Sequence, residues 1–121
     1  MSTQPALPLN EDVQSVADRL CAVLVCHARG RRNAMTRAEL CRWCSCRDRT
    51  LRRAKALLVA NGHPVGARTG EPGGYYWIND PEELRAAKAQ HRARLIAHAR
   101  ALAGLERGGI GQRVLAVLGE V

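Results

Sequence analysis

The sequence predicts a mainly α-helical protein with one small β-hairpin, and three observations support that fold class. Apolar residues recur at three- and four-residue steps over most of the chain, which is the spacing of amphipathic helices. That spacing changes between residues 63 and 78, where two short apolar segments flank the Gly/Pro-rich stretch 69–74. Residues that start or stop helices, among them Thr36, Asn61 and Asp80, stand at the ends of the apolar segments.

Three helices are predicted before the hairpin. The first follows Asn10, a residue type that caps helices, and acidic residues stand in its first turn. The second covers residues 36–44 and opens with Thr36 and Glu39 in the capping-box pattern. The third covers about residues 47–60. Together they form the helical part of one compact domain.

The hairpin and two further helices complete the predicted fold. Residues 63–68 and 75–78 are expected to be its two strands. Asp80 can then cap a long helix over residues 81–107, and a short amphipathic helix is expected over residues 110–121.

The sequence also predicts where the domain begins and in which compartment it works. Residues 1–10 read as a flexible tail without the charged and apolar regions of a signal peptide, and the domain follows at 11–80. No apolar run is long enough to cross a bilayer, so no membrane contact is expected. The cysteine count of five is odd, which favours a reducing compartment. We therefore expect a cytoplasmic, nucleoid-associated protein.

Positive charge is concentrated in residues 29–55. That segment contains ten Lys/Arg and two acidic residues, which equals the net charge of +8 of the whole chain. The remaining residues contain nine basic and nine acidic side chains and sum to zero. A localised basic segment attracts the phosphate backbone of nucleic acids through counterion release. Double-stranded DNA is therefore the expected partner.

Residues 37–56 have the pattern of a helix-turn-helix. Small or apolar residues occupy the positions that face the core, namely Leu40, Cys41, Cys44, Cys46, Leu51 and Ala54. Ser45 stands at the turn, where glycine is usual. The outward positions of the second helix are Arg47, Asp48, Arg49, Arg52, Arg53 and Ala56. This is the face that such a motif inserts into the major groove.

Residues 13–78, together with the Asn-Asp-Pro-Glu-Glu sequence that follows Ile78, resemble the small winged helix-turn-helix DNA-binding proteins of bacteria, phages and mobile elements. The segment 74–78, Gly-Tyr-Tyr-Trp-Ile, matches the second wing strand of such proteins, which a long helix often follows. The resemblance implies a winged helix-turn-helix with a long C-terminal helix, and a role in transcriptional regulation or DNA replication. It also implies that the wing, with Arg68, lies over the adjacent minor groove.

The DNA-binding residues predicted on these grounds are Arg37, Arg47, Asp48, Arg49, Arg52, Arg53, Lys55 and Arg68. The guanidinium group of arginine forms paired hydrogen bonds with guanine or with phosphate. By position, Arg47, Arg49 and Arg52 are expected near base edges, and Arg53 and Lys55 near phosphates. Asp48 is expected to orient a neighbouring arginine, with a contact to cytosine as the alternative.

Catalysis and metal binding are not expected. No Ser/His/Asp set, phosphate-binding glycine loop or paired carboxylates near a histidine stand out, so the protein is predicted not to be an enzyme and to need no cofactor. The spacing of Cys41, Cys44 and Cys46 would suit zinc, with His27 or His63 as fourth ligand. Their inward positions in the motif favour a core role instead.

The long helix carries a stripe that predicts a homodimer. Its members are Leu84, His91, Leu95, His98, Leu102 and Leu105. A pH- or metal-dependent role of the two histidines is the more specific alternative.

A second hypothesis for the whole chain is a protein-interaction adaptor that uses the C-terminal helices. RNA binding is disfavoured because no aromatic platform alternates with the basic segment.

Overall fold

The computed structural model describes residues 9–107 and 109–120; residues 1–8 of the predicted tail 1–10, Gly108 and Val121 lie outside these residues. The described chain contains five α-helices and two antiparallel strands, so the mainly helical class with a small sheet is confirmed. The helices are α1 (Val13–His27), α2 (Arg37–Cys44), α3 (Asp48–Ala60), α4 (Pro81–Glu106) and α5 (Gly109–Val117). The strands are β1 (Val65–Arg68) and β2 (Gly74–Trp77), and a short 3-10 helix covers Arg31–Asn33.

The chain divides into two compact units, Met1–Leu84 and Arg85–Val121. The sequence predicted the boundary at residue 80, before the long helix, whereas α4 itself contains it. No helix in the described part of the chain is long and apolar enough to span a membrane.

The core of the first unit lies between α1, α2 and α3. Leu20 and Leu24 of α1, Leu40 of α2 and Leu51 of α3 are fully buried there. Each such side chain contributes about 1.5–3 kcal/mol when it leaves water. Since the buried residues of α3 all lie on one side, this packing also determines which side of α3 faces solvent.

The start of α1 differs from the sequence prediction. Asp12 caps the helix, because its Oδ2 accepts a hydrogen bond of 3.0 Å from the amide of Ser15. The side-chain Oδ1 of Asn10 instead accepts a hydrogen bond from the backbone amide of Asp12. The backbone amide of Asn10 donates to the carbonyl of Ser45. The expected cap at Asn10 is therefore wrong by two residues. A contact with the distant Ser45, which local sequence does not reveal, holds Asn10 outside the helix.

The cap of α2 is the one the sequence predicts. The hydroxyl of Thr36 accepts a hydrogen bond from the amide of Glu39, and the carboxylate of Glu39 accepts one from the amide of Thr36. Such a box satisfies two backbone donors that the first turn would otherwise leave without partners. The position at which α2 starts is therefore a local property of the sequence.

The turn between α2 and α3 is tight. Ser45 adopts the left-handed conformation, with φ 51° and ψ 50°. The amide of Cys46 donates to the carbonyl of Cys41 at 3.1 Å, and the amide of Ser45 donates to the carbonyl of Arg42 at 3.4 Å. This pair of hydrogen bonds is the Schellman arrangement that ends many helices, usually with glycine in place of the serine. It turns the chain directly into α3, which begins at Asp48.

Strand β2 is bonded on both of its edges. Its first edge pairs with β1, with Gly66 opposite Tyr76 in the register. Its second edge pairs with the segment between α1 and α2, where Met35 and Tyr75 exchange two backbone hydrogen bonds of 2.9 and 3.0 Å. This pairing joins residues forty positions apart, so no local sequence pattern indicates it. Through it, the link between α1 and α2 ties the hairpin to the beginning of α2.

The aromatic residues near the hairpin and on α2 lie in different environments. Trp43 is 49% exposed, and its ring lies 4.9 Å from that of His27. Tyr75 and Tyr76 point to opposite faces of β2, yet both are buried. Gly66 explains the burial of Tyr76: a Cβ at this position would lie 2.5 Å from Cζ of Tyr76, so the tyrosine ring occupies the space of the missing side chain.

The second unit consists of most of α4 with α5 folded against it. A Cβ on Gly111 would lie 2.5 Å from the carbonyl oxygen of Ala99 and would also meet the amide of Ala103, so the two helices touch backbone to backbone. Arg92 Nη2 also donates to the carbonyl of Leu118 at 2.7 Å. The predicted final helix, 110–121, is shorter in the structure and ends at Val117.

Candidate nucleic-acid interface

The exposed side of α3 is formed largely by arginine. Leu51, Ala54 and Leu58 are buried, so the opposite side presents Arg49, Arg52, Arg53 and Ala56 to solvent. Residues three and four apart on a helix are neighbours, which places the three guanidinium groups on one continuous surface. We call this surface, with Arg47 and Asp48 at its beginning, the α3 arginine face.

Asp48 joins two arginines from different helices. Its Oδ2 lies 3.1 Å from Nε of Arg52, one turn further along α3, and 3.4 Å from Nη1 of Arg37, the first residue of α2. All three side chains are about half exposed, and pairs of this kind contribute only about 0–1 kcal/mol to stability. Asp48 therefore lies where it can orient both guanidinium groups, which is the role predicted for it from the sequence.

The other arginines of the face are less constrained. Within the described residues, neither Arg49 nor Arg53 forms an ion pair. Nη1 of Arg47 lies 3.8 Å from Oε1 of Glu11, and both side chains are mostly exposed. Glu11 was not among the predicted site residues, because only the tertiary structure brings it to the start of α3.

The remaining two predicted DNA-binding residues lie beside the sheet. The Nζ of Lys55 is 5.8 Å from the ring centre of Tyr75, a cation–π distance, and burial raises the pKa of Tyr75, so the ring that faces Lys55 stays neutral. Arg68, at the end of β1, lies near the 3-10 helix, with Nη1 3.5 Å from the carbonyl of Arg31. The structure thus brings Arg37, Asp48 and Arg52 together and leaves Arg68 next to another basic segment.

The residues outside 29–55 have a net charge of zero only because two oppositely charged parts of the chain cancel. Residues 85–121 contain seven basic and two acidic side chains, a net charge of +5. The rest of the first unit contains two basic and seven acidic side chains, which gives −5. The sequence-based expectation that all excess charge lies in one segment therefore needs correction, because the second unit is strongly basic by itself. Counting charges helix by helix reveals this from sequence alone.

The cysteines at the helix-turn-helix belong mainly to the core. Cys44 and Cys46 are buried, and Cys41 is partly buried. Burial raises the pKa of Cys44 to about 11 and that of Cys46 to about 12. Among the described residues, no group of three or more His, Cys, Asp or Glu side chains could hold a metal ion. These thiols fill space beneath the turn between α2 and α3.

Thiol alkylation at pH 8 tests this assignment. We expect iodoacetamide to modify the exposed Cys26 first and to leave Cys44 and Cys46 unmodified until the protein unfolds, because only the thiolate reacts and both buried thiols stay protonated. Peptide mass spectrometry of native and urea-unfolded samples measures the order of modification. Modification of Cys46 as fast as that of Cys26 would contradict a closed turn.

The stripe predicted as a dimer seam lies at the surface. Leu84, Leu95, Leu102 and Leu105 are among the exposed large hydrophobic residues, and both His91 and His98 are exposed. Leu84 belongs to the first unit, and the other members belong to the second.

Comparisons with protein-family models, with curated proteins and with solved structures gave no significant match.

Proposed function

We propose that this protein binds double-stranded DNA as a winged helix-turn-helix protein, with α3 in the major groove. The observation that carries the proposal is the α3 arginine face: three exposed arginines on one side of a helix whose other side is buried. An α-helix fits the width of the major groove, and arginine is the commonest side chain that reads guanine there.

The arrangement around α3 supports the winged helix-turn-helix class. Helix α2 meets α3 through the tight turn at Ser45, and the hairpin follows α3 directly. The segment around Met35 pairs with β2, so that the link between α1 and α2 joins the sheet formed by the hairpin. Such a scaffold holds a helix rigidly at the surface, as a groove-reading element requires.

The ion pairs suggest distinct roles within the site. Asp48 pairs with both Arg52 and Arg37, an arrangement that suits a base contact from Arg52 and a phosphate contact from Arg37, at the first turn of α2. Arg49 and Arg53 provide the contacts that need no rearrangement, since neither must leave an acidic partner among the described residues. Binding of Arg47 to DNA requires it to leave Glu11.

Two other functions fit the α3 arginine face less well. A protein-interaction adaptor would be expected to present apolar or acidic side chains on α3, and it presents arginines. RNA-binding surfaces combine basic residues with exposed aromatic platforms, whereas Tyr75 and Tyr76 are buried and the exposed Trp43 lies on α2 against the ring of His27, not on the α3 arginine face. Regulation of transcription and assistance in DNA replication both remain consistent with a site of this kind.

A salt titration of the full chain tests the proposal. Fluorescence anisotropy with a mixed-sequence DNA duplex should show tight binding at 50 mM salt. If about five basic side chains contact phosphates, affinity should fall roughly 500-fold between 50 and 200 mM salt. A single-stranded RNA of the same length serves as the competitor. Absence of duplex binding at 50 mM salt, or tighter binding to the RNA than to the duplex, would overturn the proposal.

A further inference from the structure

The second unit leaves much of its apolar surface in water. Five large aliphatic residues there are well exposed: Leu95 at 47%, Leu102 at 40%, Leu105 at 86%, Ile110 at 55% and Val117 at 87%. The residues that α4 and α5 bury in this unit are mostly small, such as Ala99 and Gly111, with Leu115 as the one large exception among those described. Isolated helical units this short seldom remain folded without a partner.

A groove lies between the two helices on the same side. Its volume is about 490 Å³, and it is lined by Leu95 of α4 and by Ile110, Arg113, Val114, Val117 and Leu118 of α5. Leu102 and Leu105 follow Leu95 along α4 at helical spacing, so that the groove and the leucine row form one surface. We call this combined surface the hairpin face.

We propose that the hairpin face binds the hairpin face of a second copy of the chain, so that two α4–α5 hairpins form a four-helix bundle. The proposal goes beyond DNA binding and does not depend on it. It also differs from the seam predicted from the sequence, which used α4 alone. Because α5 packs against α4 at Gly111, both helices of each copy contribute to the contact.

The five exposed side chains supply about two thirds of the apolar surface that a standard interface with a second copy contains. The five exposed fractions together equal about three fully exposed aliphatic side chains, or roughly 300 Å² of apolar surface at about 100 Å² each. A standard interface of about 800 Å² per partner contains roughly 450–500 Å² of apolar surface. The walls of the groove supply part of the difference. Symmetric pairing of helical hairpins buries such surfaces with no other protein required.

Charge gives the dimer a distinctive salt dependence. Each second unit has a net charge of +5, so two copies repel each other. Salt screens this repulsion and strengthens apolar association, so the dimer should become tighter between 0.15 and 0.5 M NaCl. An acidic partner helix on the same groove would show the opposite dependence.

Sedimentation velocity of the full chain between 1 and 100 µM tests the proposal. We expect a species of twice the 13.2 kDa chain mass. The variant Leu105→Glu/Val117→Glu should dissociate at least 100-fold more readily, because it places charge in the contact at two positions that the single chain already exposes. The control Ala97→Glu/Ala116→Glu makes the same charge change at exposed positions on the other sides of α4 and α5 and should remain dimeric. Far-UV circular dichroism checks that both variants keep their helices.

Three results would overturn the proposal: a monomer at 100 µM, equal dissociation of both variants, or a dimer that weakens in 0.5 M NaCl. The variant Arg49→Ala/Arg53→Ala should remain dimeric, because its substitutions lie on α3. Loss of DNA binding and loss of dimerisation are therefore separate outcomes.

Discussion

Replacing both Arg49 and Arg53 with alanine is expected to weaken binding to duplex DNA by at least about 30-fold, since each arginine contact with a base or phosphate contributes about 1–3 kcal/mol. Both side chains are exposed on α3, and neither forms an ion pair within the described residues. The substitution therefore removes contacts with DNA without breaking a contact inside the protein. Alanine also favours the helix, so α3 should keep its structure.

A matched variant separates a specific face from general positive charge. Lys88→Ala/Arg94→Ala removes the same two charges from exposed positions of α4 in the second unit. We expect it to bind DNA within about threefold of the wild type, the small loss being the long-range effect of net charge alone. Fluorescence anisotropy at 100 mM salt compares the three proteins. Equal losses in the two variants would mean that DNA contacts the basic surface of the whole chain and not α3.

Replacing Gly74 with alanine is expected to lower the free energy of unfolding by about 2–3 kcal/mol, the effect of forcing an extra group into a filled space. A Cβ at Gly74 would lie 2.7 Å from the carbonyl carbon of Met35 and still closer to its oxygen. Both atoms belong to the backbone, so no side-chain rotation can relieve the contact. The hydrogen bonds between Met35 and Tyr75 must stretch or break, and the link to α2 then separates from β2.

A second glycine provides the control for this measurement. Gly104 lies inside α4 with no atom within 4 Å of the position of a new Cβ. Gly104→Ala should therefore raise helix stability by about 0.5–1 kcal/mol, the usual advantage of alanine in a helix. Urea unfolding followed by tryptophan fluorescence reports on the first unit, which contains Trp43 and Trp77, and far-UV circular dichroism reports on the helices. A loss below about 0.5 kcal/mol for Gly74→Ala would contradict the close approach of Met35.

Much of the candidate site could be predicted from the sequence, because an amphipathic helix carries its own pattern. The inward side chains of α3 recur at three- and four-residue steps, so the outward set of Arg49, Arg52 and Arg53 follows directly. What the sequence could not supply is the set of contacts around them. The pairing of Arg47 with Glu11 joins residues far apart in the chain, and so does the contact between Arg37 and Asp48.

The sequence by itself determined the features that depend on neighbouring residues. The capping box of Thr36 and Glu39 joins groups three residues apart, as does the cap of α4, where Oδ1 of Asp80 accepts a hydrogen bond from the amide of Glu83. The break at Asn61 is equally local. The free energy of each feature comes from the backbone conformation of one turn, which distant packing changes little.

Only the tertiary structure decided the features that depend on close approach between distant segments. Trp43 lies at the surface against the ring of His27, and Tyr76 became buried because Gly66, opposite it in the sheet, leaves room for its ring. Gly111 lets α5 fold back onto α4, which converts a leucine row into a broader surface. A local pattern records which side of a helix or strand is apolar. Which surface covers that side depends on the shape that the whole chain adopts.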